Sequence, residues 1–402
     1  MPPAPEVSYS PYDYAMHEDP YPTYRLLREH APLYRNDELD FWAVSRHADV
    51  AGAFRDQERF SSGNGVSLDP SAWGPTAYRV MSFLALDPPA HTRMRTLVAK
   101  GFTPRRVREL EDGILRLTRR HLDPALAGGE FDVISDFAGK LPMDVISEMM
   151  GVPEADRDEV RRLADLVVHR EEGLNDVPPV GMEASLTLVG YYRDLVAERR
   201  RRAGDDLTSA LLAVREGDHR LTEQEIIAFL FLMMVAGNET TTKLLANALY
   251  WGRRNPAQLA KPFADPGRVT PWIEETLRYD TSSQTLARTV TRDTSLHGRT
   301  IRAGERVLLL VGSANRDPRT FPDPDVYDLD RDTTSLISFG AGRHYCLGAN
   351  LARLEARLAL TEFVTRVRSY DVDEDNAVRV HSVNVRGFAA LPISVSLRGG
   401  AS

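Results

Sequence analysis

The chain of 402 residues contains a single cysteine, Cys346, and no long hydrophobic run. One thiol excludes an intramolecular disulfide and is a poor basis for a zinc site, which needs several ligands. The longest apolar run, residues 226–236, is too short to span a bilayer. The first 20 residues are rich in proline and tyrosine and lack a charged segment followed by an apolar one. We therefore expect neither a signal peptide nor a membrane anchor.

Acidic residues outnumber basic ones, 58 to 50, and the formal net charge is −8. This balance argues against a surface that binds nucleic acid. The content of 42% hydrophobic and 27% charged residues is that of a globular protein with a large core. A single cysteine fits a reducing compartment. We therefore predict a cytoplasmic monomer with neither nucleic acid nor membrane as a partner.

Helical periodicity dominates the chain, and strand-like stretches are few and short. Helical patterns cover residues 24–29, 107–122, 154–168, 184–202, 222–253, 272–279 and 347–367. Strand patterns cover residues 41–44, 295–301, 306–311 and 393–397. The sequence therefore predicts a mainly α fold with small β-sheets. Since no repeat or linker divides it, we expect one domain over residues 1–402, with residues 1–18 extended and long irregular connections at 61–86 and 170–180.

Cys346 stands near the end of the run Phe-Gly-Ala-Gly-Arg-His-Tyr-Cys-Leu-Gly at residues 339–348. An amphipathic helical pattern follows it. A thiol in a glycine loop at a helix N-terminus meets backbone N–H donors, which favours the thiolate. A lone thiolate suits a metal with one axial sulfur, as in thiolate-ligated haem. The alternative is a buried structural cysteine in a glycine-rich turn.

A second motif, Ala-Gly-Asn-Glu-Thr-Thr at residues 236–241, interrupts a helix that opens with the capping-box pattern Thr222-x-x-Glu225. Glycine within a helix costs about 1 kcal/mol relative to alanine, and a threonine hydroxyl can bond the carbonyl four residues back. The motif indicates either a close helix crossing or a local opening that presents an acid and an alcohol. Met233 and Phe229 lie on the same face of the helix as the motif. We expect Met233 to contact the substrate, and Phe229 either to contact it or to belong to the core.

Two further motifs pair charged residues on helices. His91 and Arg95 follow Asp-Pro-Pro at i, i+4 and share one face, which is either a solvated basic face or a site for buried carboxylates. Glu275 and Arg278 stand at i, i+3. On an exposed helix such a pair contributes only a few tenths of a kcal/mol, so this motif alone is weak.

These four signatures, taken in their order along the chain, resemble those of the cytochrome P450 family, specifically its soluble bacterial members. The resemblance extends from about residue 19 to beyond residue 388. It implies the cytochrome P450 fold and a haem b cofactor (iron protoporphyrin IX) whose iron is ligated by Cys346. The other cofactor-binding residues that it implies are His91, Arg95, Ala236, Arg288, Phe339, Gly340, His344 and Gly348.

The same resemblance implies roles for the remaining motif residues. Thr240 would hydrogen-bond the bound dioxygen, and Glu239 would feed protons from solvent as a general acid. Glu275 and Arg278, with Arg331, would lock the chain around the cysteine loop as a structural element. The residues expected along the substrate pocket are Met233, Ala236, Leu286 and Phe388.

By resemblance, the activity is that of a haem-thiolate monooxygenase, which inserts one oxygen atom of O2 into an apolar small molecule by hydroxylation or epoxidation. The substrate would be a lipid, terpenoid, steroid or polyketide-type compound. Electrons would come from a separate ferredoxin and its reductase. Arg343, Arg353 and Arg357 could form a cationic face for such an acidic donor.

Two other functions remain open from the sequence. A peroxide-driven haem enzyme would be favoured by loss of the Glu239–Thr240 pair, which is present. A haem-binding sensor without turnover would show no product when a ferredoxin supplies electrons.

Overall fold

The computed structural model describes residues 7–399, and helices form most of it, as the periodicity predicted. The helices are α1 Tyr14–Glu18, α2 Tyr21–His30, α3 His47–Arg55, α4 Tyr78–Met81, α5 Ala90–Ala99, α6 Pro104–Glu109, α7 Glu111–Gly128, α8 Leu141–Met150, α9 Arg157–Val168, α10 Pro179–Arg201, α11 Leu207–Ala213, α12 Glu223–Arg254, α13 Pro256–Ala264, α14 Val269–Tyr279, α15 Val311–Ala314 and α16 Ala349–Arg366. None of the helices within residues 7–399 combines the length and apolarity needed to cross a membrane.

The strands form small sheets at the edges of the helical body. They are β1 Leu33–Asn36, β2 Phe41–Val44, β3 Phe60–Ser61, β4 Glu130–Asp132, β5 Thr285–Val290, β6 Thr294–Leu296, β7 Arg299–Ile301, β8 Arg306–Leu310, β9 Val367–Val372, β10 Val378–Arg379, β11 Phe388–Ala390 and β12 Pro392–Leu397. The largest sheet has the order β1-β2-β8-β5-β3, in which only β2 and β8 pair in parallel. A second sheet has the order β4-β12-β9, and β6-β7 and β10-β11 are hairpin-like pairs.

Helix α12 is the longest helix, with 32 residues, and it runs through the main hydrophobic core. The predicted capping box forms at its start, because the Thr222 hydroxyl accepts from the Glu225 N–H while the Glu225 carboxylate accepts from the Thr222 N–H. Most of its following residues are buried against α8, α10, α14 and α16. Its burial on several sides explains an apolar pattern broader than a single stripe.

The structure differs from the sequence-based expectation in several places. The stretch 295–301 is two strands, because His297 and Gly298 adopt left-handed φ angles of 50° and 74° and form a turn. The unpredicted helices include α3, α4, α8, α11, α13 and α15, and the unpredicted strands are β1, β3, β4, β5, β9, β10 and β11. The N-terminal segment, expected to be extended over residues 1–18, contains α1, and its residues 1–6 lie outside the described residues.

The two long irregular connections are joined by a buried ion pair. Arg170, just after α9, donates Nε to Asp69 Oδ1 at 3.2 Å and Nη2 to Asp69 Oδ2 at 2.7 Å. The two side chains are 8% and 1% exposed. The backbone N–H of Arg170 also donates to the carbonyl of His381 at 3.1 Å. The end of α9 is therefore tied both to the 61–86 connection and to the loop before β11.

A buried network around Asp280 holds the N-terminal helices against the end of α14. Its carboxylate accepts from Tyr21 Oη at 2.6 Å, Trp251 Nε1 at 2.7 Å and Arg386 Nε at 2.6 Å. Burial alone would raise the pKa of Asp280, but Arg386 and Arg379, together with these hydrogen bonds, lower it to about 2. The ionised carboxylate is therefore part of the folded state.

We expect this network to make folding sensitive to acid. Since the pKa of Asp280 is lower in the folded state, its stabilising contribution is complete above the unfolded pKa of about 3.9 and is lost as pH falls towards 2. The free-energy difference between wild type and Asp280→Asn should shrink by about 2–3 kcal/mol between pH 6 and pH 2. Urea unfolding at both pH values measures it. The exposed Asp371, paired with Arg253, is the control, and Asp371→Asn should change stability by less than about 1 kcal/mol at either pH.

Candidate functional site

The loop that carries Cys346 depends on its two glycines. Gly340 and Gly342 both have a φ of +69°, a left-handed conformation that side chains disfavour. A Cβ at Gly342 would also lie 2.8 Å from the carbonyl oxygen of Phe54. The loop closes where the Cys346 N–H donates to the Phe339 carbonyl at 2.9 Å. The glycine spacing thus allows the loop to fold back and present the cysteine just before α16.

The Cys346 side chain is accessible to solvent, but most of its surroundings are protein atoms. Burial raises the pKa of its thiol, and this outweighs the backbone N–H groups of Gly348 and Ala349 and the charges of Arg95 and Arg353, which lower it. In the chain alone, the N–H donors of the loop therefore do not bring the pKa of the Cys346 thiol below its ordinary value. The N–H donors are present, but a cationic metal is needed to hold the sulfur deprotonated.

His91 and His344 meet beside this loop, with ring centroids 4.1 Å apart. Both side chains are buried, and all four ring nitrogens lack a hydrogen-bond partner. Burial, followed by neighbouring positive charges, lowers the pKa of His91 to about 4 and that of His344 to about 2. Four unpartnered buried nitrogens are costly, so the pair is suited to a polar group that the protein itself does not supply.

Two arginines surround this histidine pair. Arg95 donates Nη2 to the carbonyl of Tyr345 at 2.6 Å, and its charge reaches both histidines. Arg288, on β5, is 2% exposed and donates Nη1 to the carbonyl of its neighbour Ala287 at 2.7 Å. Burial lowers the pKa of Arg288 to about 10, partly offset by the charge of Asp87. The result is a concentration of buried donors and positive charge that fits carboxylates.

The motif at residues 236–241 lies on a continuous stretch of α12. Ala236 is exposed in the middle of this otherwise buried helix, and the Thr240 hydroxyl donates to its carbonyl at 3.0 Å, the bond that the sequence predicted. Helix α8 packs against α12 at this point, but a Cβ at Gly237 would lie 3.7 Å from Ile146 of α8, an ordinary van der Waals distance, so the packing does not require a glycine. The helix is therefore not opened at the motif, and the bond from the Thr240 hydroxyl to the Ala236 carbonyl is the motif's local feature in the structure.

Glu239 is 4% exposed and lies beside Lys243, whose Nζ is 3.2 Å from Glu239 Oε2 in an ion pair without hydrogen-bond alignment. Desolvation, followed by the charge of Glu239, raises the pKa of Asp165 on α9 to about 8. Sequence reasoning missed both neighbours. The i, i+4 spacing could have identified Lys243. Asp165 is 74 residues away and carries no local signal.

The residues expected along the substrate pocket divide into two groups. Met233 is half-buried on α12, and Leu286 is half-buried on β5. Phe388 is 2% exposed and packs in the main core, with its ring 4.8 Å from that of Tyr250. Phe229 is fully buried, 6.1 Å from the Phe83 ring, and is therefore core.

Glu275 and Arg278 form a buried bidentate pair on α14, with N–O distances of 2.8 and 2.7 Å and side chains 1% and 0% exposed. Arg331 Nε lies 3.4 Å from Glu275 Oε1, as the sequence led us to expect. Arg278 Nη1 also donates to the carbonyl of Asn315 at 3.1 Å. The pair thus connects α14 to the segment that leads into the cysteine loop.

The cationic face predicted on the cysteine side is partly neutralised. Arg353 forms a bidentate pair with Glu274, at 2.6 and 2.9 Å, and Arg357 pairs with Glu111 at 3.1 Å. Arg343 is exposed.

The donor set meets the requirements of the haem that the sequence implied. Cys346 offers one accessible sulfur to an iron. The ring nitrogens of His91 and His344, which lack hydrogen-bond partners, and the charged side chains of Arg95 and Arg288 could bind two propionates. Within residues 7–399, no three His, Cys, Asp or Glu side chains converge as a separate metal-ion site. The residues present therefore fit an iron porphyrin.

Comparison with known proteins agrees with this geometry. The family model described as Cytochrome P450 matches residues 269–392. The chain is 62% identical over 395 residues to a putative cytochrome P450 123 of Mycobacterium tuberculosis, covering 98% of each. It is similar to CYP109E1 from Bacillus megaterium in complex with testosterone, with a TM-score of 0.88, 32% identity and coverage of 95% and 99%. It is also similar to P450BioI in complex with an acyl carrier protein ligated to hexadec-9Z-enoic acid, with a TM-score of 0.86, 32% identity and the same coverage. These likenesses confirm the predicted fold.

Proposed function

The chain belongs to the cytochrome P450 family of monooxygenases, and on that premise we propose that it inserts one oxygen atom of O2 into an apolar small molecule at a haem b ligated by Cys346. One observation carries the proposal. The four unpartnered ring nitrogens of His91 and His344 lie buried in the same region as two arginines and the accessible thiol. Such a cluster is costly until an anionic group with a metal binds there.

In this proposal the chain's own residues hold the cofactor at three points. Cys346 Sγ would ligate the iron, and His91, Arg95, Arg288 and His344 would bind the two propionates. The residues that we assign to the faces of the porphyrin ring are Ala236, Phe339, Gly340 and Gly348. When bound, the haem supplies the oxygen-activating and oxygen-transferring chemistry, which the sulfur ligand favours.

Proton delivery falls to α12. The Thr240 hydroxyl lies on the Ala236 side of the helix and donates to the Ala236 carbonyl. We assign it the role of hydrogen-bonding dioxygen when the haem is present. Glu239 is buried next to Thr240 and is held near Lys243, so a proton on its carboxyl is shielded from bulk water. We assign the general-acid role to Glu239 and the positioning of the proton to Thr240.

Two observations support the substrate class: apolar side chains next to Ala236, and the molecules bound to two structural relatives. Met233 and Leu286 are half-buried apolar side chains that we assign to the pocket, next to Ala236. One structural relative is bound to a steroid, and another to a carrier protein that bears a fatty acid. We propose a lipid, terpenoid, steroid or polyketide-type substrate.

We further propose that the enzyme is a monomer, that residues 1–402 act as one domain, and that a ferredoxin with its reductase supplies the electrons. Residues from 91 to 348 meet in one site, which supports a single domain. The exposed Arg343 beside Cys346 supports docking of an acidic donor. Arg353 and Arg357 are already paired with Glu274 and Glu111, so we leave them out of that surface.

The difference spectrum of the dithionite-reduced protein with and without carbon monoxide tests the proposal, followed by turnover in 18O2 with ferredoxin and reductase. We expect a strongly red-shifted Soret band and one labelled oxygen atom in the product. Product formed only with added peroxide would indicate a peroxide-driven enzyme. The spectral band without product across a lipid, steroid and terpenoid panel would indicate a sensor. Either outcome contradicts the monooxygenase proposal.

Replacing Thr240 by valine should uncouple electron use from product formation. Valine keeps the shape of threonine but removes the hydroxyl that positions the proton, so product formation should fall about 10–100-fold while electron consumption continues. The measurement is product and hydrogen peroxide formed per NADPH consumed.

Thr242→Val is the matched control for this variant. The Thr242 hydroxyl lies on the same helix but donates to the carbonyl of Ala138 at 3.0 Å. Its loss should lower stability by about 1 kcal/mol and leave the coupling unchanged. Equal uncoupling in both variants would show a general disturbance of α12.

A further inference from the structure

Two histidines from opposite ends of the chain meet at the N-terminal helix. His17 Nδ1, on α1, lies 3.4 Å from Nδ1 of His381, in the loop between β10 and β11. His17 Nε2 lies 2.9 Å from the carbonyl oxygen of Pro11. His17 is 8% exposed, and His381 is half-buried. Both ring nitrogens of His17 therefore have partners inside the protein.

The Pro11 carbonyl fixes the tautomer of His17. Since a carbonyl oxygen can only accept, the proton of neutral His17 is on Nε2 and its Nδ1 carries none. That Nδ1 can only accept a long hydrogen bond from His381, whose own Nδ1 must then carry a proton. A further proton on His17 would occupy Nδ1 and face the N–H of His381. The contact therefore requires a neutral His17.

This contact joins three segments of the chain. The His381 ring stacks on that of Tyr14, three residues before His17 on α1, with centroids 3.6 Å apart and an interplanar angle of 6°. Tyr14 Oη donates to the carbonyl of Arg170 at 3.4 Å, and the Arg170 N–H donates to the carbonyl of His381 at 3.1 Å. Because Arg170 also binds Asp69, the contact connects α1 and the β10–β11 loop to both long irregular connections.

The surroundings of His17 oppose its protonation. Burial lowers the pKa of His17, and the hydrogen bond to the Pro11 carbonyl raises it by less. The charges of His381 and Arg386 lower this pKa further, and the carboxylate of Asp13 raises it least of all. A proton on His17 would thus be buried beside a permanent positive charge.

The surroundings of His381 are more acidic. Burial lowers the pKa of His381, Glu18 on α1 and Glu172 beyond α9 raise it, and His169 at the end of α9 lowers it. A proton added to His381 would occupy Nε2 and leave its Nδ1–H donating to His17. Protonation of His381 alone therefore preserves the contact, and the charge state of His17 decides whether it can form.

We propose that the His17–His381 contact is a pH-sensitive conformational switch, which holds α1, the β10–β11 loop and the end of α9 together while His17 is neutral and opens when His17 gains a proton. Opening separates the two imidazole rings and ends the contacts of Tyr14 with His381 and Arg170. This inference goes beyond the proposed monooxygenase activity and does not depend on it.

The opening is confined to these side chains. Arg386 donates to the carbonyls of His17 and Glu18, the second at 3.1 Å, and neither bond involves an imidazole. The carboxylate of Asp280, to which Arg386 also donates, stays ionised far below neutral pH. The C-terminal end of α1 is therefore anchored in both states of the switch.

The closed state is favoured at neutral and alkaline pH. In the open state His17 has the ordinary histidine pKa of about 6.5, and in the closed state its pKa is lower. The contact is therefore at full strength above about pH 6.5 and weakens as pH falls below that value.

The first test is amide hydrogen exchange of the holoenzyme at about pH 7.5 and about pH 5.5, with each rate divided by the intrinsic rate at that pH. The Arg170 amide, which donates to the His381 carbonyl, should lose protection roughly 3–10-fold at the lower pH. The Arg386 amide donates to the carbonyl of Ser282 at 2.8 Å and should keep its protection. No loss at Arg170, or an equal loss at both amides, would overturn the proposal.

His17→Gln separates the titration of His17 from its packing. Glutamine keeps an N–H donor for the Pro11 carbonyl but takes up no proton, so the Arg170 amide should have the same protection at both pH values. His30→Gln is the matched control, because His30 is exposed at the end of α2 beside Glu29, and it should keep the wild-type pH response. A wild-type pH response in His17→Gln would show that another group controls the opening.

A second measurement needs no variant, and so it decides the matter even if His17→Gln disturbs α1. Nitrogen–proton NMR correlations of the histidine rings, in the reduced, carbon monoxide-bound wild type, report which ring nitrogen carries the proton. The His381 ring is identified by its nuclear Overhauser contact with Tyr14. At about pH 7.5 we expect its proton on Nδ1, and that of His17 on Nε2. A His381 ring protonated on Nε2 alone would leave two acceptors facing each other and would refute the switch.

Discussion

Replacing Cys346 by alanine is expected to abolish monooxygenase turnover while leaving most of the fold intact. The variant removes the chain's one sulfur ligand but no core packing, since the side chain opens on accessible space. Without the sulfur of Cys346, a bound haem would lose the electron donation that supports its oxygen chemistry, and turnover should fall by roughly 1,000-fold or more, equivalent to about 4 kcal/mol of activation free energy. The red-shifted Soret band of the reduced, carbon monoxide-bound protein should vanish.

The control for this prediction is Asn350→Ala. Asn350 is exposed in the first turn of α16, four residues after the cysteine, so its substitution tests for disturbance of the helix start. We expect its spectrum and turnover to match wild type. A red-shifted band that persisted in Cys346→Ala would show that another residue ligates the iron and would remove the basis of the site.

Contacts between distant segments of the chain were the feature of the site that local sequence patterns could not predict. The His91–His344 contact and the influence of Glu239 on the pKa of Asp165 join segments 253 and 74 positions apart, and no periodicity links them. Family resemblance supplied the first pair, because both residues stand in recognisable motifs. It supplied nothing for Asp165, which lies in an ordinary amphipathic helix.

Local structure was predictable where one signal dominated. The Thr222–Glu225 capping box marks the start of α12 in both sequence and structure. Helix α8 gave no such signal, since it buries residues on every side and its apolar pattern lacks a helical period. The helix after Cys346 begins at Ala349 rather than at residue 347, because the chain first turns at Gly348.

The pKa of the Cys346 thiol in the chain alone was also beyond sequence reasoning. Sequence reasoning counted the N–H groups and charges that favour an anion at Cys346, and the structure contains them. It could not count the desolvation, which depends on how much protein surrounds the sulfur and which dominates its pKa. Burial is a property of the tertiary fold and is therefore the quantity that local motifs predict least well.

Neutralising Glu275 is expected to cost about 3–5 kcal/mol of folding stability, because Glu275→Gln leaves the fully buried Arg278 without its counter-charge. The carboxylate also accepts the N–H of Asp328 at 2.8 Å. Urea unfolding of the two proteins measures the difference. The neighbouring acid gives a matched control: Glu274 pairs with Arg353 at a partly exposed site, so Glu274→Gln should cost about 1 kcal/mol or less. Equal losses in both variants would contradict a special role for the buried pair.

The same pair should also control cofactor retention, through a chain of hydrogen bonds to the cysteine loop. Arg278 holds the carbonyl of Asn315, whose side chain donates to Ser338 Oγ at 2.7 Å, and Ser338 immediately precedes Phe339. Arg278→Met should therefore be more harmful than Glu275→Gln, since it strands Glu275 and also frees the carbonyls that Arg278 binds. We expect faster haem loss to apomyoglobin in the order wild type, Glu275→Gln, Arg278→Met. The reverse order would mean that the carboxylate, rather than the guanidinium, connects α14 to the loop.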